Sequence, residues 1–170
     1  EFVEGIPEWS VSIGLVEDGQ PVAGGILNPA TGQLVLGAIG HGVTLNGAEA
    51  KVSDRAALDG AVVLASNSEI YRGEWDRFRD QGIEVRPCGS VAYKLAMVAA
   101  GEVDATWTLV PKNEWDVVAG VALVRAAGGV IEPLEEPDRA FNQPSPLLKG
   151  LLAFPPQLGA SIHELIARTA

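Results

Sequence analysis

Three short stretches hold the groups that could handle a phosphate or a metal ion. Asp116 stands in the first turn of NEWDVVAGVALVRAAGG, residues 113–129. A helix start exposes unsatisfied N–H groups and the positive end of its dipole. An acid there is either a cap or a ligand held out to something else, and the residues alone leave both open. One carboxylate cannot hold Mg2+ unaided, because that ion takes one or two carboxylates with water and substrate phosphate. Glu114, after Asn113, is near enough to help but equally placed to face water. Gly89-Ser90 opens a second helix and presents backbone N–H groups in a geometry suited to phosphate. Lys94, one turn further on, either reaches the same anion or lies on a solvated face. Ser66-Asn67-Ser68 follow a buried apolar run, at a strand end where α/β sheets favour ligands, or else cap the next helix.

Composition narrows what these groups can be for. The chain has 170 residues, 47% of them hydrophobic, enough for a real core in one domain or two joined subdomains. A net charge of −10 argues against binding to a nucleic acid polymer or an acidic membrane. An acidic protein still binds phosphate where a metal or helix N-termini supply positive charge. No apolar run is long enough to span a bilayer, and the opening EFVEGIPEW lacks a signal-peptide pattern. The one cysteine, Cys88, excludes an intrachain disulfide and suits a reducing, cytoplasmic setting. His41 sits in a Gly-rich turn and reads as a surface or packing residue. No Ser-His-Asp arrangement, zinc-spaced ligand set or Gly-rich nucleotide motif is present.

The elements that must position these groups follow from periodicity. EWSVSIGLV (8–16) alternates Trp9, Val11, Ile13 and Leu15 against small or polar residues, a strand with that side buried. Asp18-Gly19 is a hairpin signal. Strands over 21–27 and 34–39 complete an antiparallel meander, and the residues around Leu45-Asn46-Gly47 read as further turns. AVVLAS (61–66) is a strand covered on both faces. A polar helix is predicted over 73–81 with Trp75 and Phe78 inward, then a strand over 83–87 and a helix over 89–101. A strand over 103–109 and a helix over 115–127 follow, the latter closed by Gly128-Gly129. VIEPL is a short strand, residues 133–146 with four prolines a loop, GLLAF (150–154) the last strand, and a helix begins near 158. Meander followed by alternating strands and helices indicates an α/β fold. The predicted division is 1–58, an antiparallel-sheet subdomain, and 59–170, an α/β subdomain.

In order along the chain, these stretches resemble the inositol monophosphatase family of Mg2+-dependent phosphomonoesterases. EFVEGIPEWSVSIGLVEDGQPVAGGILNPATGQL resembles its meander, and GHGVTLNG its Gly-x-Gly-x-x-x-Asn-Gly turn. GSVAYKLAMVAAGEVDAT is similar to its Gly-Ser helix and following strand. WDVVAGVALVRAAGG is similar to its C-terminal signature, Trp-Asp-x-x-Ala-Gly with a closing Ala-Gly-Gly. The resemblance implies a layered αβαβα sandwich of the sugar-phosphatase type and a small phosphorylated substrate. It makes Asp116 a Mg2+ ligand, and the predicted substrate-binding residues are Ser66, Gly89 and Ser90, from their positions, and Lys94. Metal-assisted attack of water is the implied reaction.

The family's other metal carboxylates, with its Asp-Pro-x-Asp-Gly-Thr motif, would lie upstream of Glu1. The expectation is therefore that these 170 residues alone have no appreciable phosphatase activity, and that an exposed sheet edge favours association, as in a homodimer. Where inositol-specific members carry an acid seven residues before the Trp-Asp acid, this chain has Leu109. Lys94 and KNEWD look more like the branch that hydrolyses 3′-phosphoadenosine 5′-phosphate, whose second phosphate would meet Lys94. An inositol or sugar monophosphatase is the alternative, and a non-catalytic phosphate- or partner-binding domain the alternative of another class.

Overall fold

Two tight turns shape the first sheet. Asp18-Gly19 and Asn46-Gly47 take positive φ at both positions, 49° and 76°, 50° and 84°, the conformation that joins twisted antiparallel strands in two residues. The computed structural model describes residues 3, 5–136 and 139–169. Glu1, Phe2 and Glu4 of the opening stretch and Pro137 of the predicted loop lie outside the described residues. Strands β1 (Val11–Glu17), β2 (Gln20–Asn28), β3 (Gln33–Ala38), β4 (Gly42–Leu45) and β5 (Ala48–Ala50) form one antiparallel sheet in that order. The last two occupy residues that read as turns, because strands of four and three residues are too short to show alternation.

The face of β1 is the reverse of the expectation. Val11, Ile13 and Leu15 are exposed, Ile13 to 71%, and the opposite face, with Gly14, meets a helix. The reason is steric. Gly14, Gly24 and Gly37 are direct neighbours across β1, β2 and β3, and together they leave a shallow trough. A Cβ at Gly14 would stand 2.8 Å from the Ala119 nitrogen, and one at Gly24 would stand 2.4 Å from the Ala119 oxygen. Only a strip without side chains admits a helix backbone so closely. Alternation identified the apolar face of β1 but not which face the helix would choose.

That helix is α3 (Glu114–Ala126). It lies with α2 (Val91–Ala99) between the first sheet and a second, mixed one. The second sheet contains β6 (Val62–Ser66), β7 (Glu84–Cys88), β8 (Ala105–Thr108), β10 (Val130–Pro133) and β12 (Leu151–Phe154), in the order β10-β12-β8-β6-β7. A small pair, β9 (Lys112–Asn113) with β11 (Leu147–Leu148), leads into α3. The other face of the second sheet is covered by α4 (Gly159–Thr169) and by the segment after α1 (Asn67–Tyr71). One core, including Ile26, Val35, Leu95, Val121 and Leu123, fills the space between the sheets; another, including Trp107, Phe154, Ile162 and Leu165, lies beyond the second. The described residues thus stack as β–α–β–α, an α/β sandwich.

The polar helix predicted over 73–81 is instead a single 3₁₀ turn, Asp76–Phe78. Gly73 and Asp80 take positive φ on either side, which an α-helix cannot incorporate. Trp75 and Phe78 are buried as expected, and both rings pack on Trp107 at centroid distances of 5.1 and 5.2 Å. Gly128, with φ of 80°, follows the end of α3 in the left-handed conformation.

Candidate functional site

Strands β6, β7 and β8 are parallel, so Ser66, Cys88 and Thr108 all end at one edge of the second sheet. This is the crevice position at which open α/β sheets collect ligands. Register places Ser66 opposite Cys88, so the Ser66–Ser68 junction and the Gly89–Ser90 junction adjoin. The Glu8 carboxylate bridges them. Its Oε2 accepts hydrogen bonds from the Gly89 N–H at 2.6 Å and from the Asn67 amide at 3.0 Å. The Ser90 hydroxyl accepts from the Tyr93 N–H, capping α2, and lies 2.9 Å from the Ser10 hydroxyl. Ser66 precedes α1 but its hydroxyl pairs with that of Ser68 rather than capping the helix. Thus Ser66, Gly89 and Ser90 are brought together, and a carboxylate of the chain already occupies the anion-seeking Gly89 N–H.

Lys94 is not on a solvated face. It is 2% exposed and lines, with Thr106, Thr108 and Leu151, a void of about 10 Å3, room for at most one water. Its charge acts on Glu69, a residue the sequence reading did not single out. Glu69 is 1% exposed. Its Oε1 accepts from the Thr108 hydroxyl at 2.5 Å and from the Lys112 ammonium at 3.3 Å, and its Oε2 from the Trp75 indole at 3.1 Å. Burial pushes the carboxyl up, but the Thr108 and Trp75 hydrogen bonds and the Lys112 and Lys94 charges outweigh it, so the group titrates below its ordinary range. The signal that could have found it is Ser66-x-x-Glu69, the spacing of a capping box. In the structure that glutamate turns inward, towards cations from two other elements.

Asp116 lies in the first turn of α3, half-buried. Among the described residues its carboxylate takes no hydrogen bond or ion pair, so it caps nothing. Glu114, which could have faced water, is buried. It accepts from the Arg139 guanidinium at 3.3 Å and from the Asn142 N–H at 2.7 Å, pinning the proline-rich loop to the start of α3. The two acids, two residues apart in the same first turn, thus have opposite surroundings.

Among the described residues no group of three or more His, Cys, Asp or Glu side chains is arranged to hold a metal ion. The carboxylate of Asp116 alone does not make a Mg2+ site. Nor is any helix of the described residues long and apolar enough to cross a membrane.

Comparison with known proteins gives a consistent result. A profile described as the inositol monophosphatase family matches residues 1–169. A fructose-1,6-bisphosphatase/inositol-1-monophosphatase of Thermotoga maritima is 33% identical over 133 residues, 76% of this chain and 51% of that protein. An inositol-1-monophosphatase of Mesorhizobium japonicum is 37% identical over 141 residues, 79% of this chain and 53% of that protein. Among solved structures, an inositol monophosphatase from Anabaena superposes with a TM-score of 0.82 at 29% identity. That match covers 98% of this chain and 67% of the Anabaena one. The chain spans about half the length of the curated relatives it matches.

Proposed function

The chain belongs to the inositol monophosphatase family, and from that premise we propose that it contributes the phosphate-facing half of a phosphomonoesterase. The observation that carries this is the meeting of the Ser66 and Gly89–Ser90 junctions at the end of one parallel strand set, with Asp116 in the first turn of the first helix after the third of those strands. Asp116 would supply one carboxylate to Mg2+, and the described residues do not by themselves complete its site. What these residues do themselves is bind and orient. The unengaged acid at the start of α3 is held rigidly by a helix wedged between two sheets. The backbone N–H of Gly89 and the hydroxyls of Ser66 and Ser90 provide donors for phosphate oxygens once Glu8 yields.

For substrate, we propose a small sugar or polyol phosphate. The names of the relatives support it, covering fructose-1,6-bisphosphatase and inositol-1-monophosphatase activities. The 3′-phosphoadenosine 5′-phosphate reading depended on a second phosphate meeting Lys94, and the burial of Lys94 removes its main support. Leu109, where an acid would grip inositol hydroxyls, supports a tolerant site over an inositol-specific one. Cytoplasmic location is part of the same proposal and rests on the single buried thiol of Cys88.

The test is Mg2+-dependent phosphate release by the natural full-length protein from inositol 1-phosphate, fructose 1,6-bisphosphate and 3′-phosphoadenosine 5′-phosphate. The sugar and inositol phosphates should have the higher kcat/KM. Preference for the nucleotide restores the Lys94 reading, and no release from any of them leaves the binding-domain reading.

A further inference from the structure

Residues 7–10 lie across the Ser66 and Gly89–Ser90 junctions and are held on both sides of Glu8. The Pro7 carbonyl accepts from the Asn28 amide at 2.8 Å. Asn28 is fully buried, and its side-chain oxygen accepts from the Ala30 and Thr31 N–H groups at 3.0 and 3.3 Å. The Ser10 hydroxyl lies 2.9 Å from that of Ser90. Between these fixed points stands Glu8, half-buried, whose Oε2 takes both the Gly89 N–H and the Asn67 amide. Among the described residues its Oε1 takes no hydrogen bond, although a carboxylate has room for about four. The main chain of Glu8 is thus anchored, while its carboxylate turns on its own side-chain bonds and has acceptor capacity to spare.

We infer that Glu8 sets specificity: its carboxylate yields the Gly89 N–H to phosphate and accepts instead from a hydroxyl of the same substrate, so polyol phosphates are preferred over esters without hydroxyls. The inference rests on the phosphomonoesterase reading and deepens it by naming how the polyol is selected. Phosphate that takes the Gly89 N–H arrives where an anion already sits, and two anions in one crevice repel. Because residues 7–10 are pinned at Asn28 and Ser90, the displaced carboxylate stays beside the phosphate rather than leaving with its segment. A bare phosphate therefore faces an acid that has lost one donor and gained none. A hydroxyl next to the phosphate replaces that donor, and hydrogen bonds to a charged acceptor are the stronger kind. Selection of this sort comes from the repulsive element as much as from the attractive one. After hydrolysis the alcohol departs with its hydroxyl, Glu8 retakes the Gly89 N–H, and the product phosphate is expelled.

The test uses the full-length protein as wild type, Glu8→Gln and Glu8→Ala. Phosphate release from inositol 1-phosphate and from phenyl phosphate, which has no hydroxyl, is compared as kcat/KM. Inorganic phosphate binding in the presence of Mg2+ is measured by calorimetry. Glutamine keeps the shape and one acceptor oxygen, so that variant folds even where alanine does not, and either one decides. We expect wild type to favour inositol 1-phosphate, and the variants to lose about tenfold or more of that preference, the scale of one hydrogen bond to a charged group. Inorganic phosphate should bind the variants about tenfold or more tightly than wild type. A role in folding alone, or in holding metal, lowers kcat/KM for both esters by the same factor, and that result overturns the inference. So does a wild type indifferent to the hydroxyls, or phosphate affinity that is unchanged or weaker in the variants. Wild type that releases phosphate from neither ester overturns the phosphatase reading instead. The phosphate-binding comparison then decides alone: tighter binding in the variants supports the hold of Glu8 on the anion seat, and equal binding overturns it.

Discussion

Gly24 in β2 and Ala119 in α3 are in backbone contact, so close that a Cβ on Gly24 would stand 2.4 Å from the Ala119 oxygen. The neighbouring glycine across the ladder, Gly14, meets the same residue. These contacts set the height of α3 over the first sheet, and α3 carries Asp116.

Gly24→Ala should therefore destabilise the fold. Replacing Gly by Ala removes unfolded-state freedom and gains roughly 0.4–1 kcal/mol where the space exists. Here the new methyl meets a carbonyl that cannot move without its helix, and overpacking of this kind costs about 1–3 kcal/mol. The clash wins, and urea denaturation should show a net loss of about 1–2 kcal/mol. Gly32→Ala makes a comparison, since its methyl would meet nothing within 4 Å and its cost comes only from a positive φ.

The pH dependence of stability should carry the signature of Glu69. Its folded-state carboxyl titrates below the ordinary value of 4.5. A lowered carboxyl stabilises the fold above the unfolded-state value, and that contribution is lost as pH falls through the folded-state value. Thermal melts should therefore show a component that is constant from neutral pH down to about 5 and declines below about 4.5. In Glu69→Gln that component should be missing. A variant whose acid limb matches wild type would mean that the carboxyl is not held in its charged form.

How much of this was legible in the sequence depends on the range of each interaction. The hairpin turn Asp18-Gly19, the buried run 61–66 and the long helix with Asp116 in its first turn are local and were readable from residue type alone. The family resemblance added the order of the pieces and so the site. What escaped were matters of contact across distance. Val11, Ile13 and Leu15 form an apolar face in any register, and only the glycines of three strands, seen together, show that α3 takes the other side. Glu69 lay in a short helix hidden by the positive-φ breaks at Gly73 and Asp80, and its partners include Thr108 and Lys112, some forty residues away. Lys94 reads in sequence as an anion contact or a solvated lysine, and its burial was not legible because helical spacing says nothing of what packs beside it.

Asp104 offers a test of the link between the sheets. Its buried carboxylate accepts from the Ser53 hydroxyl at 2.6 Å, the Val62 N–H at 2.8 Å and the Arg55 guanidinium at 3.2 Å. Ser53 and Arg55 lie on the segment joining the first sheet to the second, and Val62 opens β6. Asp104→Ala leaves the Val62 N–H and the Ser53 hydroxyl without their acceptor, at about 2–3 kcal/mol in total. Amide exchange should show the loosening at residues 51–62. A loss under about 0.5 kcal/mol would mean that water takes over these bonds freely.

Asp116→Asn separates the two readings with which an acid at a helix start begins. As a dipole-compensating residue, Asp116 would stabilise α3 by roughly 0.3–1 kcal/mol, and its amide replacement would lose that much. As a ligand it contributes little to the fold, and its charge is needed only when a cation arrives. We propose the second: the carboxylate is half-buried and, among the described residues, takes no hydrogen bond, while Glu114 makes contacts at the helix start. We therefore expect Asp116→Asn to change stability by less than about 0.5 kcal/mol. In the full-length protein it should reduce Mg2+-dependent phosphate release about 100-fold or more, on the scale of losing a transition-state contact. Glu114→Gln should do the reverse, costing about 1–2 kcal/mol of stability through its buried partners while leaving the metal dependence in place. If the asparagine variant hydrolyses phosphate at the wild-type rate, Asp116 is an acid at a helix end and nothing more.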